Sequence, residues 1–305
     1  MANPSSVLSS PHARRIRRQF AFISPALLVD WIVVLLLGFL SHYIERRYPY
    51  ERPLEPYIGD LNYYYPVMKE QVPAGPGSKM EWITWYLPLA VIVIVAASKR
   101  SFHDIHHGVL GLAASRAIMR LTVEFLKTQV GRLRPSFFSR CDYDAVAKVC
   151  QGSFELVKDG RKSFPSGHSS TSFQGLFFLT LFLAGKNGAF ALSTPYPRST
   201  PFQSRFLRLS ICISPLFLAA WVCLTRLQDH WHHPTDVMAG ATIGSACALL
   251  SYTVYYKNPF FVQKGEEGDG EELKELGRPK DVYGAMEERG IQLGDDEVIE
   301  GEEQA

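Results

Sequence analysis

Six apolar blocks, each close to the length that crosses a hydrocarbon core, decide what this chain can fold into. They cover residues 27–43, 82–98, 108–126, 168–184, 209–225 and 237–256. A helix of about 20 apolar residues spans a bilayer, and helices are the economical choice there because they satisfy their own backbone polar groups. The expected fold is therefore all-α, a six-span transmembrane helical bundle, and a single soluble domain is excluded. The near-zero mean hydropathy of the chain conceals this pattern, because an acidic tail follows the last block. Of the 30 acidic residues, 15 lie in residues 257–305 beside six basic ones, so the body carries a formal +11 and the tail −9.

The first block follows Arg14, Arg15, Arg17 and Arg18, and its end, Ser41-His42-Tyr43, leads into bulky residues rather than a small-residue cleavage site. It reads as a retained anchor, not a signal peptide. Three segments result: a basic cytoplasmic N-terminus (1–26), a six-span domain (27–256) and an acidic, disordered cytoplasmic tail (257–305). The third block is the least apolar, since Arg116, Arg120 and Glu124 recur every four residues on one helical face. Charges so placed are expected to face the bundle interior. His103, His106 and His107, just before it, read as exposed loop histidines at the membrane end opposite the motifs described next.

The arginines before the first block and the short Lys99-Arg100 turn put both termini on the cytoplasmic side. The segment 127–164 then lies outside the cytoplasm, although it holds eight Lys and Arg, which a bare charge count does not favour. Five cysteines without any C-x-x-C spacing exclude a zinc ribbon or a thioredoxin-like motif. Cys141 and Cys150 share the 127–164 segment, where an oxidising compartment permits a short-loop disulfide; two free thiols are the alternative.

Three clusters carry residues suited to chemistry. Lys127 and Arg134 stand seven positions apart, about two helical turns, at the end of the third block; alone, they also fit a snorkelling basic helix end. In Phe164-Pro-Ser-Gly-His168, Ser166 is a candidate N-cap and Gly167 permits close backbone approach, which makes an anion site with an imidazole beside it. An ordinary capped helix start reads the same way. In the segment 225–236, Pro234 suits a first helical turn, placing His232 just before the helix and Asp236 within it. The Asp236 carboxylate is then positioned to hold one ring nitrogen of His232 and leave the other basic. Metal binding by His230, His232 and His233 is the rival reading, disfavoured because adjacent histidines point apart.

The first two clusters flank one loop, and two spans separate that loop from the third. All three therefore emerge on the same membrane face in either orientation, bringing Lys127, Arg134 and Arg226 together with two helix N-termini and two histidines. Such a basket matches a dianionic phosphate.

At these residues the sequence closely resembles the type 2 phosphatidic acid phosphatase superfamily of lipid phosphate phosphatases, with K-x6-R-P, P-S-G-H and S-R-x5-H-x3-D in the family order and Thr225 in place of the usual Ser. The segment 57–66 and Gln228-Asp229 resemble the fungal diacylglycerol pyrophosphate and phosphatidate phosphatase branch. The resemblance implies that His232 attacks phosphorus to form a phosphohistidine, oriented by Asp236. It implies that His168 protonates the leaving group and then activates water, and that Lys127, Arg134 and Arg226 hold the phosphoryl oxygens with Ser166 and Gly167. It further implies no metal or other cofactor, including magnesium. The implied substrates are diacylglycerol pyrophosphate, phosphatidate and lysophosphatidate, met at the bilayer of an endomembrane (vacuole, ER or Golgi) or the plasma membrane from its lumenal or extracytoplasmic face. No nucleic-acid partner is expected. A dolichyl or polyprenyl pyrophosphate phosphatase shares the chemistry and remains an alternative. A transporter using the Arg116, Arg120 and Glu124 face is a weaker one, because it leaves both histidines unexplained.

Overall fold

The computed structural model describes residues 25–190 and 204–260; the basic N-terminus and nearly all of the acidic tail lie outside them. The described residues are mostly helical, and six long helices follow the six apolar blocks: α1 (Pro25–Glu45), α2 (Lys79–Ser98), α3 (Phe102–Val130), α4 (Gly167–Asn187), α5 (Arg205–Gln228) and α6 (Pro234–Tyr255). Four of them, α1, α2, α5 and α6, are long and apolar enough to cross a membrane.

The two helices that miss that standard, α3 and α4, occupy the middle of the bundle. Helix α4 packs against α2, α3, α5 and α6, and α3 packs against α1, α2, α4 and α6. Because protein rather than lipid surrounds α4, it tolerates buried Ser170, Ser172 and Gln174, each of which finds a partner. Ser170 donates to the Ser166 carbonyl at 3.0 Å, Ser172 to the His168 carbonyl at 2.8 Å and Gln174 to the Ser115 hydroxyl at 2.5 Å. The outer face carries the apolar surface, with Phe39, Phe217 and Val254 more than two-thirds exposed.

Close helix approach depends on small residues. A Cβ on Gly240 or Gly244 of α6 would run into the Ser166 or Ser170 carbonyl of α4, so this G-x-x-x-G pair sets the α4–α6 crossing. Pro88 has no N–H to give the Thr84 carbonyl one turn earlier, and α2 passes through a π-helical turn at Trp82–Tyr86 just there. Gly175 of α4 lets the two backbones meet at that same carbonyl.

His103, His106 and His107 are not loop residues. Ser101 caps α3 by accepting from the Asp104 N–H at 3.2 Å, so the helix starts six residues before the apolar block and all three histidines belong to its first two turns. His107 is buried, and His106 accepts from the Trp31 indole at 3.2 Å.

Between α3 and α4 the chain builds a cap from two short helices, Phe137–Cys141 and Phe154–Gly160, and an antiparallel pair joining Tyr143–Asp144 to Val149–Cys150. Leu133, Phe137, Phe138 and Cys141 form its core, and Leu54, Tyr57 and Tyr63 from the α1–α2 connection pack on it. Cys141 and Cys150 are joined in a disulfide. The many cations of this segment have internal partners: Arg132 pairs with Asp236, Arg134 and Arg140 with Asp159, and Lys158, Arg161 and Lys162 each donate to a backbone carbonyl of residues 45–52. Cations tied up in this way differ from the free loop charges that a bare count assumes.

Candidate active site

The start of α4 is built for an anion. Ser166 caps it, accepting from the Ser169 N–H at 3.4 Å and the Ser169 hydroxyl at 3.0 Å, and is itself fully buried. Gly167 leaves room for the end of α3, since a Cβ there would lie 3.1 Å from the Lys127 ammonium. Lys127 is held by Glu124 one turn earlier, at 2.6 Å. An ammonium beside a helix N-terminus adds its charge to the pull of the helix dipole on an anion.

His232 precedes α6 and is buried. Its Nδ1 lies 2.7 Å from the Ser163 carbonyl. A carbonyl only accepts, so Nδ1 carries the proton and Nε2 keeps its lone pair. Burial, reinforced by the positive charge of Arg134, pushes the imidazole pKa well below its ordinary value and keeps the ring neutral. The expected direct contact from Asp236 is replaced by a relay. The Asp236 carboxylate stands 3.9 Å from His232 Nδ1, and instead accepts from Arg132 at 2.6 Å, from the Ser163 hydroxyl at 2.6 Å and from the His233 N–H at 3.0 Å. Capping α6 draws the carboxylate toward the His233 backbone, and Ser163 bridges the remaining gap. The three neighbouring histidines diverge, with His233 on Asp236 and His230 stacked on Tyr65 at 4.1 Å.

Arg134 is fixed from several sides. It donates to the Asp159 carboxylate at 2.8 Å and to the Asp159 carbonyl at 2.9 Å, and lies over the Trp231 ring at 4.7 Å. Arg140 takes the other carboxylate oxygen at 2.8 Å and covers the same ring at 4.4 Å. Burial alone would raise the Asp159 pKa, but the two guanidiniums outweigh it and hold the carboxylate below its usual range. Asp159 therefore stays charged and keeps Arg134 in place.

Arg226 reaches in from the last turn of α5, fully buried, donating to Thr225 at 3.1 Å and Asp229 at 3.0 Å. The Thr225 hydroxyl thus does the positioning available to a serine. The third nitrogen, Nη1, is 3.4 Å from His168 Nε2. His168 Nε2 donates to the Val72 carbonyl at 3.0 Å, so this nitrogen carries a proton.

The sequence gives no hint of Glu70, whose carboxylate is 3.6 Å from His168 Nε2 and 3.7 Å from Arg226. It sits on a strap, residues 67–76, pinned by the Trp231 indole donating to the Met68 carbonyl at 3.0 Å and by Gln71 bonding Asp229. Burial raises its pKa against the pull of Arg226. A carboxylate so placed would compete with any anion that reaches the same cation. Glu70→Gln is expected to lower the concentration of inorganic phosphate or orthovanadate needed for half-inhibition by about tenfold, the effect of removing a repulsion worth about 1.4 kcal/mol. Unchanged inhibition would show that the carboxylate swings clear when an anion binds.

Lys127, Arg134, Gly167, His168 and His232 line one cavity of about 610 Å³, with Glu70 on its wall. Arg226 joins it through His168, while Ser166 and Asp236 stand behind the wall as supports. The three sequence clusters thus meet at one place. Besides Glu70, the residues that sequence reasoning missed are Asp159, Ser163, Arg132 and Arg140, all in or beside the cap. The one available signal was the unusual cation density of that segment.

Residues 108–260 match the PAP2 superfamily. Over 240 residues the chain is 35% identical to "Lipid phosphate phosphatase 2" of Arabidopsis thaliana, covering 76% of this chain and 78% of that relative. It is 30% identical over 237 residues to "Diacylglycerol pyrophosphate phosphatase 1" of Saccharomyces cerevisiae, and 31% over 236 residues to "Probable diacylglycerol pyrophosphate phosphatase 1" of Schizosaccharomyces pombe, covering 74% and 73% of this chain and 78% and 79% of the relatives. No solved structure matches it. The chain belongs to the PAP2 superfamily, and as a member it is a phosphatase.

Proposed function

We propose that this protein is an integral membrane lipid phosphate phosphatase that hydrolyses diacylglycerol pyrophosphate, phosphatidate and lysophosphatidate through a phosphohistidine, without a metal ion. The observation that carries this reading is the neutral His232, whose Nδ1 proton is fixed on Ser163 while the ring lines a cavity shared with Lys127, Arg134 and His168. In the first step the Nε2 lone pair of His232 forms a bond to phosphorus as the bond to the leaving oxygen breaks, and that oxygen takes the Nε2 proton of His168, which enters the step as an imidazolium beside the bound phosphate and leaves it as a neutral ring. In the second, His168 accepts a proton from water, the oxygen bonds to phosphorus, and phosphate leaves with His232 restored. Lys127, Arg134 and Arg226 meet the charge on the phosphoryl oxygens, supported by Ser166 and the Gly167 backbone.

All six helices cross the bilayer in this reading, with both termini cytoplasmic and the site on the lumenal or extracytoplasmic face of an endomembrane or the plasma membrane. The Cys141–Cys150 disulfide supports that side, because such bonds persist in oxidising compartments. The relatives' names support glycerolipid phosphates over polyprenyl ones. Purified full-length protein in detergent with excess chelator is expected to release phosphate from diacylglycerol pyrophosphate and phosphatidate faster than from dolichyl pyrophosphate. Release that appears only after a divalent cation is added, or only from the dolichyl substrate, would overturn it.

A further inference from the structure

The cavity does not end at the phosphate site. It continues along the face of α3 that carries Glu124, Val123, Arg120, Met119 and Arg116. Positions 116, 120, 124 and 127 form one helical stripe, and the eleven residue steps from Arg116 to Lys127 cover about 16 Å of helix axis. Two of the three charges beyond Lys127 are neutralised: Glu124 pairs with Lys127 at 2.6 Å, and Arg120 with Glu45 of α1 at 3.1 Å. Glu81, on the opposite wall, accepts from the Gly77 N–H at 2.7 Å.

Arg116 is different. Its guanidinium lies over the Trp85 ring at 5.2 Å, and its Nη1 is buried with no hydrogen-bond partner among the described residues. A buried donor of a charged group left unmet costs about 1–3 kcal/mol or more, and such a group inside a membrane protein marks a functional position. Because this arginine shares its cavity with the reacting histidines, the part of a substrate beyond the phosphate is the natural source of the missing acceptor. The second phosphate of a pyrophosphate lipid does not serve: with the terminal phosphate at His232, it stays beside the first and far short of the end of the stripe. The next oxygen acceptors along a glycerolipid are its acyl-ester carbonyls, which the glycerol backbone carries beyond the phosphate into the part of the cavity that Arg116 lines. A polyprenyl chain offers no oxygen there.

We propose that Arg116 donates to the acyl-ester carbonyl oxygens of a glycerolipid substrate and so selects glycerol-ester lipids over lipids whose phosphate is joined directly to hydrocarbon. This rests on the lipid phosphatase reading above, and it gives a role to a charged stripe that the phosphate chemistry leaves unused. A merely structural arginine would affect every substrate alike; one that reads a carbonyl affects only substrates that have it.

The test compares three substrates at equal surface concentration in mixed micelles with purified full-length protein: diacyl phosphatidate, its dialkyl ether analogue, and a polyprenyl monophosphate. Wild type is expected to favour the diacyl over the dialkyl lipid by about tenfold in kcat/KM, mostly through KM. Arg116→Met is expected to lower the diacyl value about tenfold and move the dialkyl value less than twofold, with Arg116→Lys between wild type and Met. Equal loss on all three lipids would overturn the proposal, as would wild-type indifference to the ester carbonyl, a measurement that decides the matter even if the variants fail to fold. Failure of the lipid phosphatase reading looks different, since wild type would then hydrolyse none of the three.

Discussion

Replacing His168 with Ala is expected to slow the first chemical step on phosphatidate by about 10²–10⁴-fold, the usual worth of a positioned general acid, and on diacylglycerol pyrophosphate by far less. The reason is the leaving group. Phosphatidate expels an alkoxide, which needs a proton as the bond breaks, whereas the pyrophosphate lipid expels a phosphate ester that departs with little help. In the structure the proton waits on His168 Nε2, held against the Val72 carbonyl with Arg226 and Glu70 close by. Rapid-quench measurement of phosphoenzyme formation is required, because in the proposed mechanism His168 is also the base of the second step and steady-state rates would mix the two. Equal loss on both substrates would reduce His168 to a phosphate-binding group.

The second large effect concerns a residue that acts through another. Asp236 has no exposed surface and accepts from Arg132, Ser163 and the His233 backbone, so Asp236→Ala strands a cation and loosens the segment whose carbonyl orients His232. Breaking a buried ion pair costs about 3–5 kcal/mol, and the partial exposure of Arg132 places this one near the lower end. The variant is expected to melt several degrees lower in detergent and to form phosphoenzyme at least about 10²-fold more slowly. Ser163→Ala keeps the carbonyl while losing only the hydroxyl bridge, so it should show a smaller drop in both. If Asp236→Ala melted lower yet formed phosphoenzyme at the wild-type rate, the carboxylate would be a helix cap and nothing more.

Much of the architecture is legible along the chain because its signals are local. The apolar blocks run to within a few residues of the helices, Ser166 caps α4, and Pro234 opens α6. The start of α3 escapes because His103 to His107 have no apolar periodicity; the Ser101 cap and burial against α1 and α6 keep that stretch helical. Helices α3 and α4 fall short on hydropathy for a related reason, since they carry polar side chains that meet partners within their own helix, as Ser172 does, or on a neighbour, as Gln174 does at Ser115 and Arg120 at Glu45.

The site divides along the same line. The residues grouped in three short clusters stood out by spacing, and the bundle brings Lys127, Arg134, Gly167, His168 and His232 to one cavity with Ser166, Arg226 and Asp236 behind them. The supporting residues did not, because each meets its partner across a long stretch of chain: Asp159 meets Arg134 25 residues away, Ser163 meets Asp236 73 away, and the strap residue Gln71 meets Asp229 158 away. Spacing cannot report such pairings. The expected Asp236–His232 bond fails for a local reason that spacing also hides, namely that a carboxylate at the third position of α6 is drawn to cap its own helix.

The central claim is that His232 becomes phosphorylated, and trapping the intermediate tests it most directly. Purified protein mixed with phosphatidate carrying labelled phosphate, quenched in alkali within milliseconds and digested, is expected to yield one labelled peptide containing His232, stable in base and lost in acid. The label should be missing from His232→Ala. Acid-labile label on His168, or label retained in His232→Ala, would contradict the account.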